Sequence, residues 1–209
     1  MKEENSIHKN TMELTIFKAA EELFVEKGYN GTSTTEIAAK AGCNQALVHY
    51  YYRTKANLFN IILKSKINYM ISIFNYMDNR DLSFIENLTI AIEMHFDALV
   101  KDKRLPMFVF NEVRNNSELV DVVRDVFNSN VSVMFRKLEI VLQEEIKAKR
   151  IRKVSAFDLV VTISSLNMFV FLAFPVIDYI LNLDEKGVND LIQERKKDIV
   201  RTVINSLRP

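Results

Sequence analysis

The chain has 209 residues and a single cysteine, Cys43, so it cannot form an intramolecular disulfide. This scarcity is consistent with a reducing compartment. The polar N-terminus, MKEENSIHKN, also lacks the apolar stretch of a secretory signal, so we expect a cytoplasmic protein. With 48% hydrophobic and 26% charged residues, the composition is typical of a folded globular chain and not of a disordered one.

Glycine and proline are scarce as well, with four and three residues in the whole chain. Gly28, Gly31 and Gly42 lie near the N-terminus, and Gly187 is the only glycine after them. So few helix breakers, together with apolar residues repeating at a period near 3.6, favour long helices. No alternating pattern bounded by hairpin turns indicates a strand. The sequence therefore predicts an all-α fold of about nine helices.

Motifs of catalysis and of metal binding are also missing. The sequence has no phosphate-binding glycine loop, no nucleophile elbow and no HExxH motif. The three histidines, His8, His49 and His95, are scattered along the chain. We therefore predict that the protein is not an enzyme, has no catalytic or metal-binding residues and needs no cofactor.

Long uncharged runs are limited to one segment, the 19 residues between Asp158 and Asp178. Its length would suffice to cross a bilayer. Ser164, Asn167 and Pro175 interrupt it, however, and the sequence offers no second candidate. We favour a helix buried in a core and a subunit interface, and we predict no contact with a membrane.

The acidic residues are distributed unevenly. Net charge is only +1, yet the stretch from Ile37 to Met77 contains no aspartate or glutamate. The same stretch contains the cations Lys40, Arg53, Lys55, Lys64 and Lys66. A local positive field on a nearly neutral protein is typical of a surface that binds phosphates.

Two short helices are predicted within and just before this stretch. Ser33 and Glu36 form a capping-box pattern that opens a helix from Thr34 to Ala41. The turn Gly42-Cys43-Asn44 then leads into a second helix, from about Gln45 to Tyr52. Two short helices joined by a tight turn make a helix-turn-helix, whose second helix enters the major groove of DNA.

The second of these helices has one face suited to reading DNA. Ile37, Ala38, Val48 and Tyr52 can form the shared core of the two helices. The opposite face then carries Gln45, Ala46, His49 and Tyr50. Glutamine can pair bidentately with adenine, alanine can contact a thymine methyl, and histidine and tyrosine can donate to phosphates or bases.

The run from Thr32 to Phe59, TSTTEIAAKAGCNQALVHYYYRTKANLF, resembles the DNA-binding domain of the TetR family of bacterial regulators. The preceding FKAAEELFVEKGYNGTS resembles the first helix of that family. The resemblance covers residues 11–60, and it implies a homodimer whose two recognition helices read the half-sites of a near-palindromic DNA operator. It also implies a DNA-binding domain at residues 1–54 and a helical ligand-binding and dimerisation domain at 55–209.

Carried over residue by residue, the resemblance assigns two groups of DNA contacts. Phosphate, backbone or outer-base contacts fall on Ser33, Thr34, Thr35, Tyr50, Tyr51 and Lys55. Recognition positions fall on Gln45, Ala46, Leu47 and His49. His49, Leu47 and Arg53 depart from the residues most frequent in the family, so the operator sequence is not predicted.

The C-terminal part is rich in bulky, adaptable side chains, since eleven of the 14 phenylalanines lie at or after Phe74. Such a domain can line a cavity for a lipophilic ligand, although these side chains can equally fill a core. The candidate ligand-binding residues are His95, Phe96, Phe110, Phe127, Met134, Phe135, Asn167 and Met168. His95 and Asn167 are the polar members of this set.

The last two predicted helices start at Ser155 and Asn189, and we expect them to form the dimer interface as a four-helix bundle. A ligand that prefers one setting of the helix starting at Lys55 would change the spacing of the recognition helices and release DNA. The predicted function is a ligand-released repressor. The alternative is a helical adaptor that uses its basic head for protein partners and reads no DNA.

Overall fold

The computed structural model describes residues 2–74, 81–115, 118–126, 128 and 131–209. These residues form ten helices and no strand, which confirms the predicted all-α fold. The helices are α1 (Lys2–Lys27), α2 (Thr34–Lys40), α3 (Gln45–Tyr52), α4 (Lys55–Phe74), α5 (Phe84–Lys101), α6 (Leu105–Asn115), α7 (Glu118–Val126), α8 (Ser132–Lys147), α9 (Ala156–Leu181) and α10 (Glu185–Ser206).

The chain divides into two compact units. The first contains Met1–Ile67 and Phe108–Arg124, and the second contains Asn68–Met107 and Asp125–Pro209. Helices α4, α6 and α7 each contain residues of both units. The predicted boundary between residues 54 and 55 divides the chain by function, and it stays a prediction.

In the first unit, α1, α2 and α3 share one apolar core. The four residues predicted to fill it, Ile37, Ala38, Val48 and Tyr52, are all buried. Helix α1 covers them with a stripe of buried side chains at helical spacing, namely Ile16, Ala19, Ala20, Leu23 and Phe24. Small residues at positions 19, 20 and 38 allow the helix backbones to approach closely.

Side-chain caps fix where the two short helices begin. Ser33 Oγ accepts from the Glu36 N–H at 3.1 Å, while the Ser33 N–H donates to Glu36 Oε2 at 2.9 Å, so the predicted capping box is confirmed. Asn44 Oδ1 accepts from the Leu47 N–H at 2.9 Å and begins α3 in the same way. Gly42, with φ of +68°, makes the tight turn between the two helices.

In the second unit, α5, α8, α9 and α10 bury their apolar faces against one another. The members of this core with 2% exposure or less are Leu88, Ala91, Ile92, Phe96, Leu99, Leu142, Leu159, Ile163, Ile192, Ile199, Val203 and Leu207. The hydroxyls of Ser83 and Ser155 accept from the N–H groups of Glu86 and Asp158 and cap α5 and α9, so the helix start predicted at Ser155 is confirmed.

The later helices show one wrong boundary among those predicted. Between α7 and α8, the described residues Asn128 and Val131 have π-helical geometry, whereas the last helix begins at Glu185 and not at the predicted Asn189. Asp184 Oδ1 accepts from the Gly187 N–H at 2.8 Å, so this carboxylate caps the helix earlier.

Helix α9 carries the long uncharged segment. Among the described residues it alone is long and apolar enough to span a bilayer, and 28% of its most apolar window is buried. One side, with Leu159, Ile163 and Phe171, packs into the core of the second unit. The opposite side, although also apolar, remains uncovered in the single chain.

Candidate functional site

Helix α3 presents the face that the sequence assigned to DNA. Gln45, Ala46, His49 and Tyr50 are exposed, whereas Val48 and Tyr52 on the other side are buried. The Tyr52 hydroxyl donates to the Glu13 carbonyl of α1 at 2.9 Å, and burial raises the pKa of Tyr52 to about 12. Tyr52 therefore anchors α3 to α1, and the exposed face is held on a rigid support.

The side chains of this face are partly pre-arranged. Gln45 Nε2 donates to Thr34 Oγ1 at 2.7 Å, which joins the start of α3 to the start of α2. His49 Nδ1 donates to the Arg53 carbonyl at 3.0 Å, so its Nε2 can accept. The rings of Tyr50 and Tyr51 pack edge to face, with centroids 5.1 Å apart. The free imidazole nitrogen of His49, the amide of Gln45 and the tyrosine hydroxyls are groups that can pair with bases or phosphates.

The remaining DNA-contact candidates surround the start of α2. Ser33 and Thr35 are exposed, and Thr34 and Leu47 are partly exposed. A cleft of about 450 Å³ lies beside them, and its lining consists of Asn30, Gly31, Thr32, Ser33, Thr34, Glu36 and Lys55. The N-terminal N–H groups of a helix favour an anion, so this cleft is suited to a phosphate.

Lys55 is bound more firmly than a surface lysine. Its Nζ donates to the carbonyl oxygens of Tyr29 and Thr32, each at 2.9 Å, and lies 4.1 Å from the centroid of the Tyr29 ring. An ammonium has three N–H groups, so one is left for a further acceptor. Lys55 therefore holds the loop before α2 in addition to any contact it makes with phosphate.

The positive field of the first unit is weaker than the sequence suggested. Lys40 pairs with Glu22 at 2.9 Å, and Lys66 pairs with Glu21, so acids of α1 lie against the acid-free stretch. The Lys27 ammonium, followed by the N–H and hydroxyl of Ser33, lowers the pKa of the Glu36 carboxyl to about 2. The Glu36 carboxylate thus stays charged, and the capping box stays intact, at any physiological pH.

In the second unit, four of the eight ligand-binding candidates are buried in one place. His95, Phe96, Met134 and Asn167 are each no more than 4% exposed. Phe135 and Met168 are partly buried and pack against the same core. Phe110 is 56% exposed and does not join them, and the side chain of Phe127 lies outside the described residues.

His95 and Asn167 form a buried polar pair. Asn167 Nδ2 donates to the Ile92 carbonyl at 3.1 Å and lies 2.9 Å from His95 Nδ1. A carbonyl can only accept, so the amide nitrogen must face it, and His95 Nδ1 must accept the second N–H. Burial lowers the pKa of His95 to about 4, which keeps the ring neutral. Asn167 Oδ1 is left without a hydrogen-bond partner among the described residues.

Sequence reasoning missed Glu112 of α6. Its Oε1 accepts from the Tyr29 N–H at 3.0 Å, although the two residues lie 83 positions apart. No motif in the sequence indicates this contact, because an isolated glutamate on an amphipathic helix is ordinarily expected to face solvent.

Neither a metal site nor a reactive thiol emerges from the described part of the chain. Across it, no three His, Cys, Asp or Glu side chains are grouped so that they could hold a metal ion. Cys43 is partly buried in the turn between α2 and α3, and burial raises the pKa of its thiol. A raised pKa reduces the thiolate fraction, so Cys43 is suited to packing.

Comparison with known proteins gives a match to the sequence model of one family and matches to individual proteins. The sequence model described as "Bacterial regulatory proteins, tetR family" matches residues 16–62, which contain α2, α3 and the C-terminal part of the supporting α1. The fatty acid metabolism regulator protein of Bacillus subtilis is 24% identical over 141 residues, which are 67% of this chain and 71% of that protein.

Solved structures share the fold along nearly the whole chain. FadR of Bacillus subtilis, a transcriptional regulator solved in complex with stearoyl-CoA, has a TM-score of 0.69 at 18% identity, covering 93% of this chain and 99% of that one. A regulatory protein of the tetR family from Rhodococcus has a TM-score of 0.70 at 18% identity, covering 94% and 97%. The resemblance to the TetR family deduced from Thr32–Phe59 is thus confirmed, because the family's sequence model matches residues 16–62 and the fold of a tetR-family regulatory protein matches 94% of the chain.

Proposed function

We propose that the protein is a cytoplasmic homodimeric repressor, which binds a near-palindromic operator through α3 and is released by a small, mostly apolar ligand. The exposed face of α3 carries this proposal, because Gln45, Ala46, His49 and Tyr50 share one side of a helix whose other side is anchored by Tyr52. Leu47 completes the base-reading set. Ser33, Thr34, Thr35, Tyr51 and Lys55 contact the DNA backbone.

Dimerisation is supported by the uncovered side of α9. Phe157, Val161, Phe169 and Val176 lie on that side and are between 44% and 66% exposed in the single chain. An apolar strip of this length on a monomer marks an interface. Packing α9 and α10 against the same pair of a second copy covers the strip and relates the two α3 helices by a two-fold axis, as a near-palindrome requires.

The effector is proposed to contain a long acyl chain. The comparisons point to this class, since they include a protein named as a fatty acid metabolism regulator and a regulator structure solved with stearoyl-CoA. Phe96 and Met134 lie in the core of the second unit and Phe135 and Met168 pack against it, so an acyl chain would enter by displacing adaptable apolar side chains.

The adaptor alternative has less support. An adaptor requires no base-reading face, whereas α3 exposes an amide, an imidazole and a phenol beside an alanine. The proteins found by comparison are described as regulators, and none of those named above is described as an adaptor or as an enzyme. DNA binding that weakens steeply with salt separates the two functions, because phosphate contacts release counterions.

Replacing Gln45 by alanine should weaken binding to the operator about tenfold, because a bidentate glutamine–adenine pair is worth about 1–3 kcal/mol. Fluorescence anisotropy with the promoter fragment upstream of the protein's own gene measures this effect over a series of salt concentrations. The slope of affinity against salt should not change, since Gln45 does not neutralise a phosphate. Lys186→Ala, on the exposed surface of α10, is the control. A wild-type protein that does not discriminate this fragment from random DNA would contradict the proposal.

Adding stearoyl-CoA to the complex with the promoter fragment should lower operator affinity at least tenfold. A ligand shifts the population only by its differential affinity for the two states, so the effect saturates at that ratio. Coenzyme A without an acyl chain is the control and should have no effect, because the proposed contacts are with the chain. If stearoyl-CoA, oleoyl-CoA and stearic acid all leave the affinity unchanged, the acyl-chain proposal is wrong while DNA binding stands.

A further inference from the structure

Tyr29, in the loop between α1 and α2, has both backbone polar groups bound by side chains from other helices. Its N–H donates to Glu112 Oε1 of α6 at 3.0 Å, and its carbonyl accepts from Lys55 Nζ of α4 at 2.9 Å. Its ring packs against the ring of Phe59 of α4, with centroids 5.0 Å apart. One residue of the loop is therefore held from two helices at once.

The approach of Glu112 to this loop is close and depends on a glycine. A Cβ at Gly28 would lie 2.7 Å from Glu112 Oε1, closer than such atoms come in proteins. Gly28 also has φ of +73°, which a residue with a side chain rarely adopts. Four residues before Glu112, the Phe108 ring packs against that of Phe59 at 5.8 Å, which fixes this part of α6 within the first unit.

The held loop leads directly into the DNA-contact residues. Thr32 Oγ1 donates to the Gly28 carbonyl at 2.9 Å, and the Thr32 carbonyl accepts from Lys55 Nζ. Ser33, the cap of α2, follows at once, and Thr34 receives the hydrogen bond of Gln45. A displacement of the Gly28–Tyr29 peptide would thus reach the start of α2 and, through Thr34, the reading side chain of α3.

We propose that Glu112 is a positioning residue for operator binding, which acts by holding the Tyr29 peptide so that α2 and α3 are pre-arranged for DNA. The inference rests on the proposed function. Glu112 lies on the third helix after α3 and need not touch DNA. Without its acceptor, the loop would have to be ordered when DNA binds, and the free energy of that ordering would be lost from operator affinity.

Three substitutions separate the hydrogen bond from the charge. Glu112→Gln retains an acceptor oxygen at the same reach, Glu112→Asp retains the charge but is one methylene shorter, and Glu112→Ala removes both. Operator affinity, measured by anisotropy with the promoter fragment, should fall about tenfold in the Asp and Ala variants and by less than about threefold in the Gln variant. Asn111→Ala, at the exposed neighbouring position of α6, is the matched control and should match the wild type.

Two further readouts distinguish positioning from a general loss of stability. Amide hydrogen exchange of the peptide containing Tyr29 should accelerate in the Asp and Ala variants, while exchange in α5 and α9 stays unchanged. Binding to random DNA at low salt should fall much less than binding to the operator, because the lysine and arginine side chains that pair with phosphates are all retained.

Operator affinities of the Asp and Ala variants equal to that of the wild type would overturn the proposal. So would equal losses for operator and random DNA, or a Gln variant as weak as the Ala variant. Should the Ala variant fail to fold, the comparison of Asp with Gln decides the question. A wild-type protein without operator binding would instead defeat the proposed function, and with it the positioning role.

Discussion

Replacing Phe169 by glutamate should convert the dimer into a monomer and lower operator affinity at least a hundredfold. Phe169 is 66% exposed in the single chain and lies at the middle of the uncovered strip on α9. At a two-fold interface the substitution places two carboxylates in a desolvated apolar contact, where charge is strongly unfavourable. A monomer loses the gain of binding both half-sites together, which is about 10² or more.

Sedimentation analysis measures the first effect, and anisotropy with the operator measures the second. Ile140→Glu is the matched control, since Ile140 of α8 is 62% exposed and lies outside the strip. Because both side chains are exposed in the single chain, neither substitution should alter the helical circular dichroism of the folded protein. A Phe169→Glu protein that remains dimeric would show that α9 does not form the interface.

Lowering the pH from 7.5 to 5 should reduce the free energy of unfolding by about 2 kcal/mol through His95 alone. The pKa of His95 is about 4 in the folded chain, against an ordinary value of 6.5. Below pH 6.5 the unfolded chain therefore takes up a proton that the folded chain does not. The stability conferred by the neutral ring is fully present above pH 6.5 and is lost progressively as the pH falls toward 4.

Urea unfolding at a fixed protein concentration, repeated at each pH, measures this loss. His95→Gln keeps an acceptor for the Asn167 amide but cannot take up the proton, so its stability should depend less on pH over the same window. His49→Gln, a replacement at the exposed histidine of α3, is the matched control and should retain the wild-type dependence. Equal pH dependences for the wild type and His95→Gln would show that His95 is solvated or protonated in the folded chain.

Several elements of the structure were predicted from local sequence alone. The capping box of Ser33 and Glu36, the helix start at Ser155, and the inward face of α2 and α3 follow from patterns only a few residues long. Such patterns act within one helical turn, so no knowledge of packing is needed to read them. The start of α10 was missed although Asp184 is an equally local cap, because Asn189 offers a competing signal of the same kind.

Other predictions depended on what lies across the helix packing. The acid-free stretch from Ile37 to Met77 suggested a strong positive field, yet α1 places Glu22 beside Lys40 and Glu21 beside Lys66. Phe110 was grouped with the buried aromatics by composition, and it lies on the exposed side of α6. The sequence shows which side chains are charged or apolar. Their neighbours in the folded chain decide which charges are neutralised and which apolar side chains are buried.

By itself the sequence determined the all-helical class, the helix-turn-helix and the residues on its outer face, because these follow from helical periodicity, caps and one tight turn. Only the tertiary structure decided that Glu112 grips Tyr29 and that Asn167 faces His95, pairs separated by 83 and 72 residues. A hydrogen bond requires the distance between donor and acceptor to be correct to within a few tenths of an ångström. Side chains on distant helices reach that accuracy only after the helices between them have packed.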